Sequence, residues 1–275
     1  MRNNMPRFST IVFGAIVLLA ILAPLVAPFG PAQQLDIVAL KNRAPSVTHL
    51  LGTDAYSRDL LSRALFGART SLFVAFAATT IATVVGTLWG GLAATAANRL
   101  GDGMMLIVDV LRSVPRMLLF LVAVALAGAL SPVWLAALLG ISAWPAISRM
   151  AFVLVRDLQS RSFVEAAHAA GSAPGRVFLR HIAPHLTGPL TAAGTLLLAD
   201  ILALESGLSF LGLGIKPPGA SWGNMVQDAL PYLGSAWWTA AVPCACLLVT
   251  VFSASALADQ LQKMTRRDET PVPGL

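Results

Sequence analysis

The chain has 275 residues, of which 56% are hydrophobic and only 12% charged, with a formal net charge of +6. A soluble domain carries about 25% charged residues, so this balance places the chain in a lipid bilayer and leaves no stretch long enough for a soluble domain. The basic residues sit at the ends of apolar runs rather than in a stripe. That pattern points to lipid headgroups and topology, and away from nucleic acid.

Six apolar stretches are long enough to cross a bilayer, which takes about 20 residues each. They lie at 8–28, 71–95, 114–130, 132–154, 187–209 and 236–258. Lipid offers no partners to backbone N–H and C=O groups, so each is expected to be a helix. The first follows Arg2 and Arg7, as a signal peptide would. Its run is longer than a usual signal core and its cleavage site is poor, so it is expected to remain as an anchor. After it comes a polar loop ending in "SRDLLSRALFGART". Leu60, Leu61, Ala64, Leu65 and Ala68 share one face there, and Arg58, Arg63 and Arg69 can snorkel to headgroups. Asp59 and Arg63 have the spacing of a helical ion pair. The segment is expected to be an interfacial lead-in to the second stretch. That stretch holds Gly86 and Gly90, a spacing that lets two helices approach closely. The last stretch holds Cys244 and Cys246, which point to different sides of a helix and are expected to be packing residues. The four histidines have no ligand spacing, so no metal is expected.

Six crossings put both termini on one side. If that side is the cytoplasm, thirteen of the 19 Lys and Arg residues are inside. This asymmetry predicts cytoplasmic termini. The first outer loop fits least well, since it holds Lys41, Arg43, Arg58, Arg63 and Arg69.

On this orientation residues 156–186 are cytoplasmic. "SFVEAAHAAGSAPGRVFLRHIAPH" (162–185) reads as helix, glycine, helix. Ser162 and Glu165 have the spacing of a capping box. Ala166, Ala167, Ala169 and Ala170 favour helix with almost no bulk. Gly171 can close the helix in a left-handed conformation. Ser172 can cap the second helix, Pro174 suits its first turn, and Pro184 is expected to end it. An alanine-faced hairpin too short for its own core suits either a socket on another protein or the lipid headgroups.

"EAAHAAG" followed by "RHIAP" resembles the EAA motif of permease subunits of bacterial ABC importers. "HLLGTDAYSRDLLSRALFGARTSL" (49–72) and "LESGLSFLGLGIKPPGASWGNM" (204–225) are similar to the first and last outer loops of that family's dipeptide, oligopeptide and nickel branch. "WW" at 237–238 is similar to the opening of its final span. The resemblance covers about residues 49–260 and is nearest to the C-type permease. Three features depart from it. Ala183 stands where the family usually has leucine, "ANRLGDGMM" is a shortened loop, and "SASALAD" keeps only Asp259 of the family's usual ending.

The resemblance implies an all-α membrane protein with the six-helix fold of a type I ABC importer permease. Residues 1–70 would be anchor helix and outer loop, 71–260 the permease core, and 261–275 a cytoplasmic tail. The chain would sit in the bacterial inner membrane and form half a pore for peptides or a related solute, paired with a second permease subunit. Its other implied partners are two ATPase subunits and an extracytoplasmic solute-binding protein. No G-x-x-x-x-G-K-[ST] occurs in the chain, so ATP and magnesium would bind the partner ATPases and no cofactor would bind here. Glu165, Ala166, Ala167, Gly171, Arg180, His181 and Pro184 would carry the contact with the ATPase. Coupling of this kind is conformational, without chemistry on this chain.

Asp200 and Glu205 are carboxylates inside a spanning stretch, a costly placement that often marks function. Five residues apart on a helix, they do not share a face. Glu205 matches the family's outer motif and suits a bond within the outer loop, a headgroup contact or the solute pathway. Asp200 lies deeper and suits either the pathway, meeting a peptide's amino group, or a bridge to a neighbouring helix. A secondary transporter or channel is the competing class, but internal repeats and paired broken helices are not evident in the sequence. A membrane enzyme would need a polar cluster near one face, and none is evident in the sequence. Dipeptides, oligopeptides and nickel complexes all remain open as cargo.

Overall fold

A computed structural model describes residues 5–128 and 130–269. It contains ten α-helices among the described residues: α1 (Met5–Val26), α2 (Leu60–Thr95), α3 (Asn98–Ser113), α4 (Arg116–Ala127), α5 (Pro132–Gln159), α6 (Ser162–Ala169), α7 (Pro174–Val177), α8 (Ala183–Phe210), α9 (Trp222–Ala229) and α10 (Trp238–Glu269). Five segments are long and apolar enough to cross a membrane. They contain α1, α2, α5, α8 and α10, and correspond to five of the six expected stretches.

The sixth expected stretch, the third in chain order, does not form a spanning helix. The expected span 114–130 is a helix only over Arg116–Ala127, about 18 Å at 1.5 Å per residue, too short to cross alone. α3 precedes it, packed on the second half of α2: Trp89 Nε1 donates to the Met104 carbonyl at 3.2 Å. α3 and α4 are separated only by Val114 and Pro115. Pro115 causes the interruption, since it supplies no N–H and disfavours helical geometry in the residue before it.

The most extensive helix pairing is between α2 and α5. It depends on glycine: a Cβ at Gly86 would lie 2.7 Å from the Trp144 carbonyl oxygen, and one at Gly90 would collide with the carbonyl of Ser148. α5 returns the fit, since a Cβ at Gly140 would lie 2.8 Å from the Ala78 carbonyl oxygen. In lipid, where burying apolar surface brings little gain, such backbone approach is what holds helices together. The G-x-x-x-G pair read from the sequence is thus the centre of the bundle.

α1 packs on α2 and α10. Gln260 Nε2 donates to Ser9 Oγ at 2.6 Å, so the start of α1 and the end of α10 lie together. Gly188 sits against Thr265, which places that end beside the segment 162–182. Both described termini therefore share the hairpin end of the bundle. The outermost positions named for topology, 1–4 and 270–275, lie outside the described residues.

The pairing predicts that Gly90→Val, which forces bulk into a filled contact, costs at least about 1–3 kcal/mol of stability. Gly103→Ala should be close to neutral, because a Cβ there meets nothing within 4 Å. Thermal unfolding of the two variants in detergent checks the contrast.

Candidate functional site

The non-helical segment 27–59 and the loop 211–221 close the end of the bundle opposite the hairpin. The expected interfacial lead-in does not form there: α2 begins at Leu60 and continues without interruption to Thr95. Arg58 and Arg63 do not snorkel either. Both are buried, Arg63 to 2% exposure, and of the three arginines only Arg69 is exposed. Arg58 Nε and Arg63 Nη1 donate to Asp54 Oδ2 at 2.6 and 2.8 Å. Arg58 Nη2 donates to Asp228 Oδ2 on α9 at 2.8 Å, and Arg63 Nη2 reaches the same oxygen at 3.3 Å.

Asp59 does not pair with Arg63 as its spacing suggested. Its Oδ2 accepts from the backbone N–H of Ser62 at 2.8 Å, capping α2, and Oδ1 meets His49 Nδ1 at 2.9 Å. α9 folds over the start of α2 and supplies the countercharge, so the arginines turn inward. Trp222 fixes this lid, its Nε1 donating to the Ala64 carbonyl at 3.0 Å. Burial pushes the Asp228 carboxyl above its ordinary range, against the pull of Arg58 and with some help from Asp54.

The hairpin is built from caps and three anchors. α6 begins at Ser162 itself, so Ser162 lies in the first turn and not at the capping position expected for it. The carbonyl of Arg161 accepts from Val164 and Glu165 instead. Gly171 has φ +79°, the left-handed conformation read from the sequence. Ser172 N donates to the Ala167 carbonyl at 3.1 Å, completing a Schellman closure. Ala173, one residue beyond the expected Ser172, precedes α7, and Pro174 takes its first turn.

Pro184 does not end the second helix. A π-helical segment, Phe178–Ile182, joins α7 to α8. Ala183 N donates to the Phe178 carbonyl, one residue further back than in an α-helix. The widened turn makes room for a proline that would otherwise strike the carbonyl four residues earlier. The hairpin therefore runs into α8 without a break.

Val164, Val177 and Ile182 are buried to 2% exposure or less and tie the hairpin to the bundle core. Phe163 stacks on His185 with ring centroids 5.3 Å apart. With Val164 and Val177 turned inward, Glu165, Ala166 and Gly171 face outward. Ala167 and His181 are half-buried, and Arg180 and Pro184 are exposed farther along the same limb.

The two intramembrane carboxylates part company. Glu205 is fully enclosed. It accepts from Ser209 Oγ at 2.7 Å and Ser206 Oγ at 3.3 Å. Ser209 Oγ also accepts from Ile215 N at 3.0 Å, so Glu205 organises the loop after α8. Asp200 is uncovered, and its Oδ2 accepts from Arg116 Nη1 at 3.0 Å. Arg116 was not legible as a site residue, since its partner is 84 positions away. The only signal was a charge directly after a proline in an apolar run. Among the described residues no group of three His, Cys, Asp or Glu is disposed to hold a metal.

The binding-protein-dependent transport system inner membrane component family matches residues 86–267. The N-terminal transmembrane domain of oligopeptide transport permease C matches residues 1–45. The chain is 33% identical over 253 residues to the di/tripeptide transport system permease protein DppC of Pseudomonas aeruginosa, covering 90% of this chain and 82% of that one. It is 31% identical over 261 residues to the oligopeptide transport system permease protein OppC of Bacillus subtilis, covering 94% and 84%. Among solved structures, an inward-facing conformation of the MetNI methionine ABC transporter aligns with a TM-score of 0.58 at 18% identity. The alignment spans 72% of this chain and 94% of that one, a likeness of fold.

The buried ion network predicts that Arg63→Ala, which takes one of the two guanidinium partners from Asp54 and leaves the cavity of a buried side chain, destabilises the chain by about 2–5 kcal/mol. Asp228→Asn keeps a neutral acceptor and leaves both arginines on Asp54, so its cost should stay under about 1.5 kcal/mol. Melting temperatures of the purified variants check the order.

Proposed function

The chain belongs to the family of binding-protein-dependent transport system inner membrane components, and from that membership we propose that it serves an ATP-driven importer of peptides. Its own part is that of a permease subunit, forming the translocation pore. The peptide cargo is inferred from the relatives, which are named as di/tripeptide and oligopeptide permeases. A second permease subunit completes the pore, two ATPase subunits bind ATP and magnesium, and a solute-binding protein delivers cargo from outside. The hairpin end, where the described start of α1 and end of α10 lie, faces the cytoplasm, in keeping with the excess of basic residues expected on that side.

The observation that carries the coupling role is the hairpin itself. Its buried face is anchored by Val164 and Val177, while Glu165, Ala166 and Gly171 are presented outward. Ala166 lets a partner's backbone approach closely, and Glu165 offers one directional charge. Ala167, Arg180, His181 and Pro184 support that contact from the hairpin's inner side and the following limb. Because the π segment passes directly into α8, a displacement of the hairpin by closing ATPases moves α8. Asp200 rides on that helix and is assigned to the solute pathway. Glu205 holds the outer loop that meets the arriving cargo.

Gly171 supplies the test. A Cβ at this position meets nothing within 4 Å, so substitution acts through the backbone alone. Gly171→Val is expected to strain the turn by roughly 1–2 kcal/mol, weaken co-purification of the ATPase subunits and reduce uptake, with membrane insertion unchanged. Gly171→Asn, which tolerates the left-handed region, should retain both. Full coupling in the valine variant would remove the hairpin from the docking role.

A further inference from the structure

The Arg116–Asp200 pair is the most unusual polar feature of the spanning region. Asp200 lies seventeen residues after the start of α8, about 26 Å along it, and ten residues before its end, about 15 Å. It is therefore near mid-depth, and Arg116, 3.0 Å away, shares that depth. Yet the chain does not cover the pair: the side chains are 34% and 54% exposed.

Two charges at mid-depth do not face hydrocarbon; such groups face a bundle interior or an aqueous cavity. The interrupted backbone at Val114 and Pro115, just before Arg116, requires the same, because non-helical backbone is not left against lipid.

We infer that Arg116 and Asp200 are the two poles of a station for a zwitterion on the pore face: Asp200 receives the substrate's ammonium group and Arg116 its carboxylate, in place of their bond to each other. This rests on the reading of the chain as a peptide permease. Parting two charges in a low-dielectric setting is costly unless each finds a new partner. A peptide with both termini free supplies both partners at once. A blocked peptide or a simple ion supplies one or none, so the pair stays shut against it. The guanidinium suits the carboxylate because its planar fork can offer two parallel donors.

The test uses the assembled importer in proteoliposomes, with ATP inside the cytoplasmic compartment. The substrates are dialanine, dialanine amide and N-acetyl-dialanine, each at equal occupancy of the binding protein. The wild-type complex is expected to import dialanine at least about tenfold faster than either blocked form, the factor one charge-assisted hydrogen bond supplies. Arg116→Gln should lower dialanine uptake at least about tenfold, leave the amide unchanged and so erase the preference for a free carboxylate. Arg116→Lys should retain that preference. Asp200→Asn should erase the preference for a free amino group in the same way. Equal losses for free and blocked peptides in both neutral variants would make the pair a structural bridge and overturn the inference. Absence of ATP-dependent uptake of any peptide by the wild-type complex would instead refute the peptide-permease reading on which it rests.

Discussion

Lipid supplies no hydrogen bonds and no countercharge, and every irregular feature of this fold answers to that. Regular helices satisfy their own backbones and cross singly. They pair where Gly86, Gly90 and Gly140 let the α2 and α5 backbones approach, because close packing replaces the gain that burial brings in water. The exceptions are a broken helix at Val114 and Pro115 and uncovered ion pairs at Arg116–Asp200 and Arg149–Asp109. On the proposed reading of the chain as a pore-forming permease, a water-filled pore wall meets both conditions.

The two ends of the bundle are built on opposite principles. The loop end is locked by buried charges: Asp54 holds Arg58 and Arg63, which reach Asp228 across 170 and 165 positions of sequence, and Asp59 caps α2 while holding His49. The hairpin end has few ties, chiefly Val164, Val177, Ile182 and one aromatic stack. In the coupling role proposed for the hairpin, an element that responds to another subunit belongs at the lightly held end. The π segment joins the hairpin to α8 without a break, and in that role it would carry a displacement at Gly171 along the helix that bears Asp200.

Features that depend on neighbours in sequence were legible. The spanning stretches follow from unbroken apolar runs, and the turn at Gly171 follows from a glycine after an alanine helix. The close α2 contact follows from paired glycines, although the sequence alone did not name α5 as the partner. Features that depend on distant partners were not legible. Arg58 and Arg63 read as snorkelling because nothing local announces Asp228. The third crossing read as one run because the amphipathic α3 before it has too many polar residues to pass as a span. Pro184 read as a stop because the widened π turn that accommodates it depends on the geometry of the preceding five residues. Asp200 was singled out by its cost in lipid, but its partner required the fold.

The account stands on the outward face of α6 meeting a separate ATPase chain. A photo-activated cross-linking residue at Ala166, placed in the assembled importer, measures that contact directly. The account predicts a cross-link to an ATPase subunit, and a much weaker one from a probe at the inward-facing Val177. Cross-links from Ala166 to lipid alone, with none to an ATPase chain, would show that the hairpin lies on the membrane surface and would contradict it.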